Sequence, residues 1–345
     1  MQPVELEAIA THVEDFHPRR YLGNGHLQTI AGNYLPRADG LPPFEEQLVE
    51  VSPAAYGQIS SQVLCHCHWQ PAELRATRPT AIIVHGLEGS SNSQYVIGNA
   101  NKLWRSGCNI IRMNMRNCGG TEALTPTLYH SGLSCDVLAV MRFFVDRYDL
   151  ASMSLIGYSM GGNLVLKLAG ELGTTAPAQL HSVIGVSPAV DLGPSADALH
   201  RPQNRLYEMK FLRALLRRFR RKAMLFPRAY DRNRAAGIRS LREFDDRITA
   251  LYSGFSDAED YYTRAAAARV LDRIAVPTLI LHALDDPFVR ITAATRHTIA
   301  ANPNITLIEP KHGGHCAFLT QPDATSGYDG YWAEHTLLRF LLANA

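Results

Sequence analysis

Residues 154–162 read SLIGYSMGG, the most informative stretch of the chain. It contains a G-x-S-x-G motif, from Gly157 to Gly161, between a run that predicts a strand and a run that predicts a helix. Such a strand-to-helix turn is so tight that a side chain at either glycine position would collide with neighbouring elements. The turn exposes the hydroxyl of Ser159 at the carboxyl edge of a sheet, so we predict that Ser159 is a nucleophile.

Short apolar runs alternate with helical patterns on both sides of this motif. The runs typical of strands cover residues 47–51, 62–69, 80–85, 109–115, 152–157, 182–186, 278–284 and 305–309. Predicted helices cover residues 95–105, 134–148, 162–172 and 331–342. This rhythm is typical of βαβ units, so we expect an α/β fold with a mostly parallel eight-stranded sheet flanked by helices, its first two strands antiparallel.

The rhythm breaks once, between residues 186 and 278, and that gap is too long for an ordinary crossover. We therefore expect a core formed by residues 1–194 and 241–345, interrupted by a helical cap at residues 195–240. Residues 201–240 contain thirteen Lys or Arg and only two acidic residues, although the whole chain has a net charge of +2. The predicted cap is therefore strongly basic.

Within this basic segment, Phe211, Leu215 and Phe219 recur at helical spacing, which predicts an amphipathic helix. Two interpretations stay open. The helix could dock on an anionic membrane surface, or it could pack its apolar side on the protein and leave its arginines in water. The arginines that would contact lipid are Arg217, Arg218, Arg220 and Arg221. We expect no binding of nucleic acid, because no recognition motif accompanies the charge.

The loop at residues 85–89 has a sequence suited to stabilising the negative charge that develops on a substrate oxygen. His85-Gly86-Leu87-Glu88-Gly89 follows the strand at 80–84, where a backbone N–H, that of Leu87, would face the N–H of Met160. Two such donors form an oxyanion hole, which stabilises the tetrahedral intermediate of acyl transfer. The residues expected to line the substrate pocket are His85, Gly86 and Tyr158.

A serine nucleophile needs a base, and the base needs an acid that orients it. In chain order, the acid and then the base follow the serine at the ends of later strands. Asp285 and Asp286 follow one such strand, and His312 and His315 follow the next. We prefer Asp286 and His315. We expect Asp285 to hydrogen-bond to backbone, and His312 either to be solvated or to lie directly behind the residues that contact the substrate.

Composition excludes several other classes of protein. The chain has 345 residues, 46% of them hydrophobic, so it is long and apolar enough to fold without staples. It contains no apolar run that could span a membrane and starts without the apolar segment of a secretory signal. We therefore expect a cytoplasmic protein that at most contacts membranes peripherally.

Cys65-His66-Cys67-His68 has metal-ligand residue types, but alternation along a strand would separate the cysteines from the histidines, so no metal is expected.

Five motifs in order resemble the YheT-like branch of the α/β-hydrolase domain proteins. They are LGNGHLQT (22–29), HGLEGSSNSQY (85–95), GYSMGG (157–162), DDPF (285–288) and HGGH (312–315). The resemblance implies the α/β-hydrolase fold, with Ser159 as nucleophile, Asp286 as acid and His315 as base. It also implies hydrolysis of short- to medium-chain acyl esters or of acylglycerol-type lipids, without a cofactor.

Two rival functions remain open at this stage. The same triad could serve an acyltransferase or a thioesterase, or the chain could be a non-catalytic module that binds membranes or partners. An acyltransferase motif with four residues between His and Asp occurs in some relatives. Here His130 and Asp136 are separated by five residues, and we expect them to pair structurally. A dehalogenase is disfavoured, because it would carry Asp where Ser159 stands.

Overall fold

The structure is a computed structural model and describes residues 16–37, 40–54 and 59–345. Its centre is a sheet whose eight strands are β1 (Glu45–Ser52), β2 (Ser61–His68), β3 (Thr80–Val84), β4 (Asn109–Met113), β5 (Met153–Tyr158), β6 (Leu180–Val186), β7 (Thr278–Leu281) and β8 (Ile305–Ile308). They are ordered β1-β2-β4-β3-β5-β6-β7-β8. β2 is antiparallel to both of its neighbours, and the remaining pairs are parallel. The predicted α/β architecture is confirmed.

Helices cover both faces of this sheet. They are α1 (Gly25–Tyr34), α2 (Ala72–Arg75), α3 (Gln94–Arg105), α4 (Ser134–Tyr148), α5 (Met160–Leu172), α6 (Leu192–Leu199), α7 (Arg205–Leu225), α8 (Leu241–Phe244), α9 (Leu251–Ser253), α10 (Ala258–Ala265), α11 (Ala293–Ala301) and α12 (Trp332–Ala343). Within the described ranges, none of these helices is both long and apolar enough to cross a membrane.

The central strands are buried on both faces, which explains their runs of Ile and Val. Adjacent residues of β3 show this: Ile82 belongs to one hydrophobic core and Ile83 to the core on the opposite face. The same alternation governs β2. Its cysteines lie in the first core, whereas His66 and His68 make ring contacts with Phe44.

The insertion between β6 and β7 is helical, and its helices continue to Ala265, beyond residue 240. α7 buries Leu212, Leu215 and Phe219, as its spacing predicts. A π-helical turn, Asp245–Ala250, joins α8 to α9. These helices lie over the carboxyl ends of the central strands, where they border the cavity described below.

One arginine of α7 does not lie where the lipid-contact interpretation requires. Arg217, Arg220 and Arg221 are exposed, but the side chain of Arg218 is only 15% exposed. It forms ion pairs with Glu88 and Glu122 on loops of the core. Arg218 is therefore a largely buried contact between the insertion and the core, with its guanidinium directed at acidic residues of the core and not at a lipid surface.

Candidate active site

Ser159 occupies the sharp turn between β5 and α5. Its backbone has φ 54° and ψ −115°, a left-handed conformation that costs a non-glycine residue free energy. The positions on either side of this turn leave no room for a side chain, so both must be glycine. A Cβ at position 157 would lie 2.1 Å from the carbonyl oxygen of Gly161, and one at position 161 would lie 2.4 Å from that of Val84. The backbone strain is thus stored at the residue whose hydroxyl the turn presents.

Asp286 and His315 lie in direct contact. The Nδ1 of His315 is 2.8 Å from Oδ2 of Asp286. The other carboxylate oxygen of Asp286 accepts the backbone N–H groups of Phe288 (3.0 Å) and Val289 (2.9 Å), so its orientation is fixed. Asp286 is only 2% exposed. The arrangement suits a carboxylate that orients an imidazole.

In this pair, the pKa of Asp286 is lowered and the pKa of His315 is raised, so both side chains favour their charged forms. Burial acts to raise the pKa of Asp286, but the neighbouring His315 and the amide of Val289 hold it below its ordinary value. Burial acts to lower the pKa of His315, but its surroundings, including Cys316 and the Asp286 carboxylate, raise it above its ordinary value. An imidazolium at position 315 is therefore stabilised by its surroundings.

The second acid and histidine of the two motifs pair with each other. Oδ2 of Asp285 is 3.3 Å from Nδ1 of His312, and its Oδ1 accepts the backbone N–H of Gly314 at 2.9 Å. The side chain of His312 is 44% exposed. Asp285 therefore holds the backbone of the histidine loop.

Two neighbouring elements brace the loop that carries His315. Thr29 of α1 accepts the backbone N–H of His315 at 2.8 Å. After β6, the hydroxyl of Ser187 accepts the N–H of Cys316 at 3.0 Å. The adjacent carbonyl oxygen of Val186 accepts the N–H of Ser159 at 2.9 Å, so the serine turn is held by the same strand end. Sequence reasoning did not assign these roles, although Thr29 closes the LGNGHLQT motif.

The structure brings Asp286 and His315 into a hydrogen bond but does not join His315 to Ser159 in the same way. Within the described chain, the Ser159 hydroxyl makes no hydrogen bond to the His315 imidazole. The ring of Phe288 links the two regions, because it lies 4.4 Å from the His315 ring, centroid to centroid, and lines the cavity that Ser159 also lines. Catalytic hydrogen bonds of this kind often tighten only when substrate is bound.

The loop after β3 passes directly over the serine. A Cβ added at Gly86 would lie 3.1 Å from Cβ of Ser159. In this loop the amides of Gly86, Glu88 and Gly89 donate to Tyr95, Tyr129 and Gly86 respectively. Leu87 has no such partner among the described residues. Met160 begins α5, where an amide has no acceptor within its own helix. These are the two amides expected to hold an oxyanion.

His85 and Tyr158 do not line the cavity, contrary to expectation. His85 is fully buried, with Nδ1 2.8 Å from the carbonyl oxygen of Gly86 and Nε2 accepting the N–H of Met115 at 3.2 Å. Burial lowers its pKa to about 4, so it is neutral. The Tyr158 ring stacks on Tyr95 in the core on the other face of the sheet. His85 contacts the backbone next to the serine, and Tyr158 packs in the core below it, so neither side chain lines the cavity. Gly86 contributes only its backbone.

Ser159 opens onto a largely apolar cavity of about 140 Å³. The α6, α7 and α8 helices form much of its wall. The apolar residues that line it include Leu87, Leu128, Met160, Leu192, Leu199, Phe211, Leu215, Phe219, Phe244, Phe288 and Val289. The cavity therefore suits a hydrophobic group next to the serine.

His130 and Asp136 do not pair with each other, which corrects that expectation. The carboxylate of Asp136 receives two hydrogen bonds of 2.6 Å from the guanidinium of Arg116. His130 instead lines the cavity and accepts the N–H of Gly132 on its Nδ1 at 3.1 Å. The bidentate match between a guanidinium and a carboxylate explains why the acid prefers the arginine.

Comparison with known proteins adds independent findings. A family model described as the alpha/beta hydrolase fold matches residues 79–322. The Escherichia coli (strain K12) protein YheT, named provisionally as an esterase, is 30% identical over 308 residues, covering 88% of this chain and 87% of its own. The mouse phospholipase ABHD3 is 29% identical over 307 residues, covering 89% and 74%.

A solved structure agrees with the fold. The crystal structure of 2,6-dihydroxy-pseudo-oxynicotine hydrolase superposes with a TM-score of 0.55 at 17% sequence identity, covering 92% of this chain and 72% of the other. At this level of identity, the likeness concerns the fold alone.

Proposed function

Since this chain belongs to the α/β-hydrolase family, we propose that it is a carboxylic-ester hydrolase with Ser159 as nucleophile, His315 as base and Asp286 as the orienting acid. The observation that carries the proposal is the strained Ser159 turn, which faces an apolar cavity and lies on the same sheet edge as the hydrogen-bonded Asp286–His315 pair.

The reaction has two steps. Oγ of Ser159 attacks the ester carbonyl carbon while Nε2 of His315 takes the hydroxyl proton. The carbonyl oxygen becomes an oxyanion, which the amides of Leu87 and Met160 stabilise. The carbon–oxygen bond to the alcohol then breaks, and His315 donates its proton to the departing alkoxide. Water, activated by His315, attacks the acyl-enzyme and releases the acid, which restores Ser159.

The chemistry of the cavity favours an ester with an apolar acyl chain. Its wall beyond Ser159 is dominated by Leu and Phe side chains from α6, α7 and α8. The curated relatives carry names of an esterase and a phospholipase, both of which cleave ester bonds. Short- to medium-chain acyl esters and acylglycerol-type lipids are therefore the substrate classes that we propose, and the insertion between β6 and β7 is proposed as their cap.

A p-nitrophenyl ester series from acetate to palmitate tests this proposal. We expect turnover with an optimum at one chain length, because the apolar cavity that receives the acyl chain has a limited volume of about 140 Å³. Adding alcohols or acyl-CoA distinguishes hydrolysis from transfer and from thioester cleavage: free acid as the main product from esters supports the hydrolase. Acyl transfer as the main reaction, selective thioester cleavage, or silence toward every ester would contradict it.

One face of α7 favours peripheral contact with an anionic membrane. Lys210, Arg213, Arg217 and Arg220 are exposed and recur at helical spacing. Two apolar side chains extend the same stripe at its ends, Leu206 (80% exposed) and Met224 (65% exposed). Basic residues attract anionic headgroups, and exposed apolar residues can enter the interface.

Charge reversal on this stripe tests the contact. We expect the triple variant Arg213→Glu, Arg217→Glu, Arg220→Glu to bind phosphatidylcholine–phosphatidylserine vesicles at least about a hundredfold more weakly, at roughly 1 kcal/mol per basic residue near the surface. Cosedimentation measures the binding, which should also weaken with salt. The triple variant Arg142→Glu, Arg269→Glu, Arg273→Glu makes the same charge change at exposed sites elsewhere. Equal losses in both variants, or binding that salt does not affect, would contradict a contact through α7.

A further inference from the structure

A largely buried ion pair joins the insertion to the loop over Ser159. Nε of Arg218 on α7 is 2.8 Å from Oε1 of Glu88, and its Nη2 is 3.1 Å from Oε2. The two side chains are only 15% and 11% exposed. Burying two charges carries a desolvation cost, so a buried pair is a weak explanation of stability alone. The place of Glu88 in the loop indicates another role.

Glu88 lies inside a tight turn that contains the candidate oxyanion amide. The N–H of Gly89 donates to the carbonyl oxygen of Gly86 at 3.0 Å, which makes Gly86–Gly89 a four-residue turn with Leu87 and Glu88 at its centre. Glu88 has φ 57°, a left-handed conformation that glycine adopts more readily at the third position of a turn. The chain therefore carries a charged residue where the backbone favours glycine.

The side chain and the backbone of Glu88 are both held. Tyr129 donates its hydroxyl proton to Oε1 of Glu88 at 2.6 Å, and the N–H of Glu88 reaches the Tyr129 oxygen at 3.3 Å. The contacts of Arg218 complete the arrangement. These interactions offset the cost of the left-handed backbone and so keep the turn in one shape.

That shape determines where the Leu87 N–H points. The carbonyl of Gly86 and the N–H of Leu87 belong to one planar peptide group and point in opposite directions. The carbonyl oxygen accepts the N–H of Gly89 and lies 2.8 Å from Nδ1 of His85. If the turn relaxed at Glu88, the bond from Gly89 would loosen, and the Leu87 N–H would rotate with its peptide plane.

The α7 helix, called the cap helix below, is anchored to the core near Arg218 by further hydrogen bonds. Arg218 also donates to the carbonyl oxygen of Asn117, and Lys222, one turn further along α7, donates to the carbonyl oxygen of Glu122 at 2.8 Å. Arg218 lines the same cavity as Ser159. The position of α7 and the shape of the turn over the serine are therefore linked through one guanidinium.

We propose that Glu88 and Arg218 are positioning residues: the docked cap helix holds the Gly86–Gly89 turn in the shape that aims the Leu87 amide at the oxyanion. This inference rests on the proposed ester hydrolysis. An enzyme whose cap helix is undocked would still carry Ser159, Asp286 and His315, but its oxyanion hole would be impaired.

The variants Glu88→Ala and Arg218→Met test this coupling. For a soluble p-nitrophenyl ester, we expect kcat to fall roughly 10- to 100-fold, less than the 100- to 1000-fold typical of losing one oxyanion donor outright. KM should stay within about twofold. Inhibition by phenylboronic acid, whose serine adduct places an oxygen in the oxyanion hole, should weaken by a factor similar to the fall in kcat. Arg228→Met, at an exposed arginine after α7, should change none of these values.

Glu88→Gly separates positioning from general damage. Glycine adopts the left-handed conformation without a side chain to hold it, so this variant should recover most of the kcat that Glu88→Ala loses. Adding Arg218→Met to Glu88→Gly should then cost less than it does in the wild type. Thermal unfolding of every variant identifies those that do not fold.

Three results would overturn the inference. They are an unchanged kcat in both Glu88→Ala and Arg218→Met, a loss confined to KM, or a Glu88→Gly variant that is folded and no better than Glu88→Ala. The wild type and Ser159→Ala are measured in the same assay. If the wild type is active and Ser159→Ala is not, the proposed function survives whatever the Glu88 variants show. An inactive wild type would refute the proposed function instead.

Discussion

Ser159→Ala is expected to lower kcat for a p-nitrophenyl ester by up to about a millionfold, the scale seen when the nucleophile of a serine protease is removed. Alanine lacks the oxygen that attacks the carbonyl carbon, whereas the cavity and the candidate oxyanion amides remain. Substrate binding should therefore persist, and the loss should fall on kcat. Initial rates on the preferred chain length measure it.

A second serine of the same cavity wall supplies the control. Ser195 lines the cavity, but its hydroxyl accepts the backbone N–H of Arg290 at 3.1 Å and sits on a helix, not at a strained turn. We expect Ser195→Ala to keep kcat within about tenfold of the wild type, at the scale of one lost hydrogen bond. A Ser159→Ala enzyme as active as Ser195→Ala would show that the nucleophile lies elsewhere.

Asp286→Asn is expected to lower kcat roughly ten-thousandfold. The amide can keep the two backbone bonds from Phe288 and Val289 on its oxygen, so the loop should survive. Its NH₂ group would then face Nδ1 of His315, which favours the tautomer whose proton sits on Nε2. That imidazole cannot take the proton of Ser159.

The neighbouring pair provides matched controls for this prediction. Asp285→Asn and His312→Ala change the same residue types at the same two strand ends, but in the pair that holds the loop backbone. We expect each to retain kcat within about tenfold, because neither side chain contacts the reacting atoms in the proposed mechanism. If Asp285→Asn were the more damaging of the two acid variants, the assignment of the acid would be reversed.

The pH dependence of kcat/KM gives the Asp286 prediction a second readout. The base must be neutral to accept a proton, so activity is lost as pH falls through the pKa of His315. The surroundings of His315, the Asp286 carboxylate among them, raise that pKa above its ordinary value, which moves this acid limb to higher pH. Asp286→Asn removes the negative charge and should shift the limb to lower pH. An upward shift, or none, would contradict the pairing.

Much of the architecture could be predicted because the sheet is buried on both faces. Its strands are apolar runs rich in Ile and Val, such as β3. A crossover helix such as α3 buries Val96, Ala100 and Leu103 at helical spacing. The G-x-S-x-G motif is readable for a local reason: a Cβ at Gly157 would meet the carbonyl oxygen of Gly161, four residues further along the same strand-to-helix turn.

The parts that could not be predicted depend on partners far apart in the sequence. His85 follows a strand and looked available to substrate, but its ring is engaged by the amide of Met115, thirty residues further along the chain. The choice between the two acids was open for a similar reason. The proposed choice of Asp286 is supported by contacts of Asp285 and Asp286 with a histidine loop whose path the sequence does not reveal.

Arg218 could have been found from its spacing. It lies three residues after Leu215 and seven after Phe211, on the same helical stripe as the apolar residues that face the core. Its charge alone suggests contact with lipid, whereas its position on the helix predicts contact with the core. A charged side chain on the core-facing stripe of a helix predicts an opposite charge nearby, which is Glu88.

The proposed mechanism requires Ser159 to form a covalent acyl-enzyme, and a fluorophosphonate probe detects a serine with that reactivity. The probe forms a phosphorus–oxygen bond with an activated serine and loses fluoride, so the adduct can be located by peptide mass spectrometry. We predict one adduct per chain, on the peptide that contains Ser159, and none in Ser159→Ala. An adduct on another residue, or an unmodified wild-type protein that is folded, would contradict the account.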